Sequence, residues 1–335
     1  VSPSLGGALG PAETYAWTGN HSHTGTVTES GASRLYGATA PLSGPGGTGY
    51  LVAANGSTYL NTQTKVLYVN EAGVASPYWT PLGIDSHPNM LSWSCDFKDF
   101  LGKAHANTDA VAILAGSGLR IHGQGIAETD SGVVVTAAEG GPAARLTTTD
   151  EDAHLVALSF GTTDSGAGPL QPDTHGPLVV EATLTQVTAL TLRRVFLGFL
   201  GTWADALDPP ATGLTTTITL VQDDLGGLFM DAGLTAATAF FAISNNNDAA
   251  ASQTTASAAV SPATVMPAAA THVRLRVEVT AAGTMYCFAD RVLIATIQSA
   301  VDITEEFAPV LLIGSTSAAI KAMDVRRIAA WGTRA

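Results

Sequence analysis

The chain has 335 residues with 15 Lys+Arg against 28 Asp+Glu, a formal net charge of −13, and only 13% charged residues. That balance argues against a nucleic-acid binder, which needs cations to displace counterions from phosphate, and against a surface that sits on anionic lipid. The 46% hydrophobic content excludes wholesale disorder, and no uninterrupted apolar run reaches the ~18 residues of a membrane-spanning helix.

At ~100–200 residues per domain, the length suggests two domains and an additional arm. The opening Val1-Ser2-Pro3-Ser4 has neither the basic n-region nor the apolar h-region of a secretory leader, so none is expected from it. Cys95 and Cys287 lie too far apart for a zinc motif and are too few for a disulfide framework; two buried thiols are expected, with one long-range bridge as the alternative. A surface of Thr, Ser, Ala, Gly and Asn is cheap to desolvate and suits a subunit that contacts copies of itself or a larger assembly.

Residues 1–50 read as an extended arm. Leu5-Gly6-Gly7, Leu9-Gly10-Pro11 and Gly44-Pro45-Gly46-Gly47 interrupt it too often for long elements, and its apolar residues are scattered. Such a segment is ordered by lying on something else or winding around sister chains, so it is expected to attach or trimerise the subunit.

Residues 51–105 read as a small β connector. Tyr50–Ala53 and Lys65–Asn70 are strand-like runs with the turn signal Asn55-Gly56 between them. Ala75–Pro81 sets Tyr78 and Trp79 between two prolines, as an edge strand or packed loop would. Within residues 89–105, Trp93, Phe97, Phe100 and Leu101 fall at helical spacing and predict a short helical or irregular segment.

Residues 106–335 predict one β-sandwich, with short strand-like runs recurring between turn signals from Val111 to Trp331. The clearest is Val273-Arg274-Leu275-Arg276-Val277-Glu278-Val279, where alternation predicts one buried and one wet face. Ala249–Ala270, rich in Ala, Ser and Thr and carrying Pro262 and Pro267, predicts a long loop. The fold class is therefore all-β, a jelly roll with an extended N-terminal arm and a small β connector.

The pair of strands at 273–294, joined by a turn at Ala282-Gly283, resembles the late strands of concanavalin-like jelly rolls. Leu67–Gly73 with Ala75–Pro81, and the stretches Gly125–Gly132 and Thr219–Leu228, resemble segments of structural proteins of tailed bacteriophages. This resemblance implies a virion component of the capsid-decoration or head-fibre sort. Its expected place is the exterior of the particle, as a homotrimer in contact with the major capsid protein or another virion protein.

Candidate site residues are few. His21 and His23, at i and i+2 of an extended chain, point the same way. In a trimer, three such pairs would surround a first-row transition metal on the axis, as in phage fibres and spikes; the alternative is a pair of solvated histidines. Asp205/Asp208, Asp223/Asp224 and Asn245–Asp248 offer oxygen ligands for calcium, or ordinary turn chemistry. Trp79 and Trp203 are candidates for stacking on a sugar, within a set that also includes Tyr78, Trp93 and Trp331; each equally serves a core.

No catalytic residue is expected. There is no Gly-x-Ser-x-Gly elbow and no phosphate loop, and Glu278 stands among Arg274 and Arg276 as part of a salt-bridged face. The expected function is thus a non-enzymatic structural protein of a phage particle. The alternative is a glycan-binding host-recognition module of a phage tail or bacterial surface.

Overall fold

The computed structural model describes residues 27–29, 32–82, 90–97, 112–113, 119–123, 132–138, 141–148, 154–161, 170–186, 193–201, 209–247, 251–266, 271–316 and 321–334. Five strands come first: β1 (Val27–Glu29), β2 (Ala32–Gly37), β3 (Thr58–Asn61), β4 (Leu67–Asn70) and β5 (Trp79–Pro81). They form one sheet in chain order, and β2–β3 is its parallel pair. A parallel pair requires a crossover, here residues 38–57.

Next come β6 (Met90–Cys95), β7 (Ala112–Ile113), β8 (Leu119–Gly123), β9 (Gly132–Ala138), β10 (Gly141–Thr147) and β11 (Leu155–Phe160). A four-residue helix, α1 (Pro172–His175), precedes β12 (Leu178–Gln186) and β13 (Arg193–Leu200). Then follow β14 (Ala211–Leu214), β15 (Thr217–Leu220), β16 (Asp224–Asp231), β17 (Phe241–Asn246) and β18 (Ser252–Thr254). The chain closes with β19 (His272–Val279), β20 (Met285–Ala289), β21 (Val292–Ile297), β22 (Ala308–Ser315) and β23 (Ala322–Thr333).

Two antiparallel sheets make the sandwich. One runs β21-β20-β19-β12-β23-β10-β9, with β6 paired to the C-terminal half of β23; the other runs β17-β16-β13-β22-β11-β8-β7. Strands β10 to β13 alternate between the two sheets, as do β22 and β23, so consecutive strands face each other across the core. This is the all-β jelly-roll sandwich that the sequence predicts.

The sandwich is covered on both outer faces. Its main core, with Val180, Leu275 and Val325 from one sheet meeting Leu158, Leu197 and Leu311 from the other, lies between the sheets. A second cluster sets Ala157, Phe196 and Leu312 of the seven-stranded sheet against Ile218 and Leu220 of a small β14-β15-β18 sheet. A third sets Val179, Ala329 and Trp331 of the eight-stranded sheet against Tyr59, Tyr68 and Trp79 of the five-stranded sheet. Four layers result. Strands β11, β13 and β22 are consequently buried along their whole length, which explains why their central residues read as apolar runs rather than alternating ones.

Several sequence expectations shift. Tyr50–Ala53 is a turn inside the β2–β3 crossover, and Asn55-Gly56 leads into β3 rather than joining two strands of a hairpin. Gly56 sits at φ 86°, where its lack of a Cβ is required. The expected boundary at residue 50 therefore falls inside one structural unit, since β2 lies beside β3. Residues 90–95 are strand β6 on the main sheet, not a helical segment, because Trp93 lies against Phe160 with ring centroids 6.1 Å apart. The stretch Ala249–Ala270 supplies β18 and, through Ala258, part of the second core cluster. Cys95 and Cys287 are two separate buried thiols.

Candidate assembly interface

The five-stranded sheet has two unlike faces. Its inner residues Ser33, Ser57, Asn70 and Trp79, and Tyr59, Tyr68 and Pro81, are buried. The crossover is pinned to this side: the Trp79 indole N–H donates to the Thr48 carbonyl at 2.9 Å, and the Tyr59 hydroxyl donates to Thr39 at 2.8 Å. Asn70 Nδ2 reaches the Ala53 carbonyl at 2.6 Å. These bonds make the crossover part of the fold.

Ion pairs lock that inner side to the sandwich. The Tyr78 hydroxyl donates to Glu181 Oε2 at 2.6 Å, and the same carboxylate receives Arg274 at 2.9 Å and Arg327 at 2.8 Å. Arg274 also reaches Glu71 at 2.8 Å. Arg276 donates to the Trp79 carbonyl and to Glu278 Oε2, both at 2.9 Å, with its guanidinium 4.4 Å from the centre of the Tyr78 ring. Burial alone would raise the Glu181 carboxyl, but Arg274, Arg276, the Tyr78 hydroxyl and Arg327 bring it below its ordinary value. Burial drives the Tyr78 phenol in the opposite direction, well up.

The wet face expected for Arg274, Arg276 and Glu278 is thus a buried one. Arg276 and Glu278 side chains are only 3% and 1% exposed, because the five-stranded sheet lies across them. Glu278 does form the expected salt bridge. Glu181 and Arg327 escaped the sequence reading, although a lone carboxylate inside the apolar run 178–184 is a signal in itself: a buried charge demands a partner.

On the outer face, register places Tyr36, Leu60 and Leu67 side by side on β2, β3 and β4, and Leu82 follows beyond β5, its N–H bonded to the Leu67 carbonyl. Tyr36, Leu67 and Leu82 are 45%, 40% and 48% exposed. With Arg34, Leu35 and Thr58, the Tyr36, Leu60 and Leu67 part of the row borders a groove of about 360 Å³. Among the described residues, three of the twelve exposed large apolar side chains, Tyr36, Leu67 and Leu82, share this face. An apolar row on one face is a candidate interaction surface.

The sequence-derived site residues fare unevenly. His21, His23 and Trp203 lie outside the described residues, as do Asp205, Asp208 and Asp248. Trp79 is 1% exposed, enclosed by Tyr59 and the crossover, so its ring offers no face for a sugar. Tyr78 and Trp331 are buried too, and Trp93 is half-buried. Asp224 and Asn246 are cross-strand partners, but Asp224 Oδ1 accepts the Asn247 N–H at 3.0 Å and Asn245 Nδ2 caps the Gln222 carbonyl at 2.7 Å. Burial, with Asp302 and Asp223 nearby, raises the Asp224 carboxyl. No group of three His, Cys, Asp or Glu side chains placed to hold a metal ion occurs among the described residues.

One nucleophile–base pair appears that the sequence does not announce. His122 Nε2 is 2.7 Å from the Ser159 hydroxyl across β8 and β11. The Ser159 hydroxyl also lies 2.8 Å from the Gly161 carbonyl, which competes with the imidazole for its proton. Both residues are buried, and burial followed by Arg120 pushes the imidazole down to about 4. The pair cross-links two strands.

No family model and no curated protein matches the chain. Solved structures do, at the level of fold. The carbohydrate recognition domain of Emp47p is 8% identical, with 74% of this chain and 98% of that one covered and a TM-score of 0.45. Peanut lectin is 10% identical over 73% and 97% of the two chains, with a TM-score of 0.40. A carbohydrate esterase of the Shiga toxin-encoding bacteriophage phi24B is 12% identical over 65% and 91%, with a TM-score of 0.38. Likenesses this distant carry no argument about ligand, partner or activity.

Proposed function

We propose that this chain is a non-enzymatic structural protein of a bacteriophage particle, decorating or projecting from the capsid exterior as a homotrimer. The observation that carries the reading is the apolar row Tyr36–Leu60–Leu67–Leu82 on the outer face of a sheet that is itself locked to the sandwich. A rigidly held apolar face is what a subunit needs to bury area against neighbours, and closed symmetry is the ordinary outcome. The low charge of the chain supports the same reading. The strand carboxylates Glu181 and Glu278 are engaged in buried ion pairs, which supports a non-catalytic role.

The test is incorporation into purified particles. Tagged wild-type chain is expected in the particle at a stoichiometry set by the shell, accessible to antibody from outside, and Leu67→Lys is expected to be absent. Normal incorporation of Leu67→Lys, or no wild-type chain in particles, overturns the reading.

A further inference from the structure

The five-stranded sheet covers the outer face of the eight-stranded sheet around Arg276, Glu278 and Trp331, which are all buried. Two rows of cross-strand partners nearer the start of β19 are more open. One runs His272, Thr185, Asp324 and Arg145 across β19, β12, β23 and β10; the next runs Arg274, Thr183 and Arg327 across β19, β12 and β23. His272 is exposed, and the Arg327 and Arg145 side chains are 39% and 36% exposed.

Between these rows β23 carries one extra residue. Thr183 faces Arg327 while Leu184 faces Val325, so Arg326 has no partner on β12. The pairings with β10 and β6 pass it by as well, stopping at Val325 and Ile328. Val325 and Ile328 enter the core, and the bulge sets Arg326 beside Arg327 on the outer side. Burial, and then the charge of Arg326, lower the His272 imidazole, in keeping with that placement. The carboxylates nearby are taken: Asp324 by Arg145 through bonds of 2.8 and 3.0 Å, Glu181 by Arg274 and Arg327, and Glu71 by Arg274 and Arg291. Among the described residues no carboxylate pairs with Arg326, and its Nε is buried without a hydrogen-bond acceptor. A half-buried guanidinium in this position is partly stripped of water and uncompensated, and an anion at its terminal nitrogens is the missing partner.

We propose that Arg326 and Arg327, with His272 and Thr183 at the rim, bind an oxyanion: the carboxylate, sulfate or phosphate group of a small molecule. The terminal nitrogens of Arg326 form a planar fork that matches two oxygens of such a group, a geometry that a halide cannot reproduce. Arg327 adds a second positive charge while keeping its bond to Glu181. The bulge is what brings two consecutive arginines to one side of a strand, where regular alternation would send them to opposite faces. The site belongs to the sandwich itself and does not depend on the apolar row of the five-stranded sheet.

The experiment is isothermal titration calorimetry of the full chain with sodium sulfate, sodium phosphate and sodium glucuronate, ionic strength being held constant with sodium chloride. At least one of the three is expected to bind one to one with a dissociation constant below about 5 mM. Binding by glucuronate alone assigns the site to carboxylates, and binding by sulfate or phosphate alone assigns it to tetrahedral groups; each supports the proposal. Arg326→Gln is expected to weaken the bound anion at least about tenfold, the loss of charge-assisted hydrogen bonds, with an unfolding midpoint no lower than wild type in the absence of anion. Arg326→Lys, which keeps the charge and loses the fork, provides a second variant should the first fail to fold, and is expected to weaken binding at least about threefold. Absence of binding by all three anions, or wild-type affinity in the variant that folds, overturns the proposal.

Discussion

Tyr78 and Glu181 are 103 residues apart in sequence and joined by a 2.6 Å hydrogen bond in the fold. The phenol comes from the five-stranded sheet and the carboxylate from the face of the sandwich beneath it. Both are buried, and together with Arg274, Arg276 and Arg327 they decide whether the outer sheet stays in place.

Removing the phenolic hydroxyl leaves the carboxylate with its arginines but one donor short. Tyr78→Phe is expected to lower stability by about 1.5–3 kcal/mol, the range for a hydrogen bond to a charged group. Glu181→Gln should lose more, about 3 kcal/mol, because it removes the buried carboxylate that Arg274 and Arg327 share with the Tyr78 hydroxyl. Urea denaturation of the two single variants and the double variant checks this. The double-variant loss should fall short of the sum, since the residues are in contact.

The same carboxylate sets an acid limit. The Glu181 pKa is lowered in the fold, so its contribution is fully present above the unfolded glutamate value and is lost as pH falls through the folded value. His122, held down to about 4 by burial and by Arg120, acts earlier in the descent. Its neutral ring favours the fold at neutral pH, and that contribution fades between about pH 6.5 and 4. A shift of that size corresponds to about 3 kcal/mol. Denaturation midpoints measured from pH 8 to 4 should fall across this window in the wild type. They should fall much less in His122→Asn, if that variant folds with the wild-type circular dichroism spectrum.

Glycines on β13 and β16 test the packing of the seven-stranded sheet. Gly198 and Gly227 are cross-strand partners, and a Cβ on Gly227 would come within 2.7 Å of the Phe196 ring and 2.6 Å of the Leu197 carbonyl. The backbone carbonyl cannot move away without disturbing the ladder. Gly227→Ala is expected to lower stability by about 1–3 kcal/mol through overpacking. A melting temperature equal to wild type would contradict this account of the strand pair.

Trp79 separates a core role from a binding role. Trp79→Ala should destabilise by about 3–5 kcal/mol, as the loss of a large enclosed aromatic does. A glycan array on the wild-type protein provides the counterpart measurement. An array signal abolished by Trp79→Ala without loss of stability would reinstate the stacking expectation.

Legibility in the sequence followed the range of the forces involved. Strands β19 and β20 lie on either side of the turn expected at Ala282-Gly283, because period-two alternation and tight turns are local properties. The identity of the wet face was not local. Arg276 and Glu278 look solvated in their own strand and are buried by a sheet some 200 positions earlier in the chain. Tyr50–Ala53 has strand-like residues, yet the parallel β2–β3 pair needs a crossover there, and that requirement overrides propensity. Trp93 falls at helical spacing with Phe97, Phe100 and Leu101, but Met90–Cys95 pairs with the C-terminal half of β23 as a strand. The apolar row of the candidate interface was the least legible of all. Tyr36, Leu67 and Leu82 become neighbours only through strand register, and each alone is an unremarkable surface residue.

The central claim is that the outer face of the five-stranded sheet buries itself against other copies, and sedimentation equilibrium of the purified full chain tests it most directly. The account predicts three chains per particle for the wild type at micromolar concentration, and one chain for Leu67→Lys with an unaltered circular dichroism spectrum. A wild-type protein that sediments as a single chain at every concentration, or a Leu67→Lys variant that remains fully assembled, would contradict it.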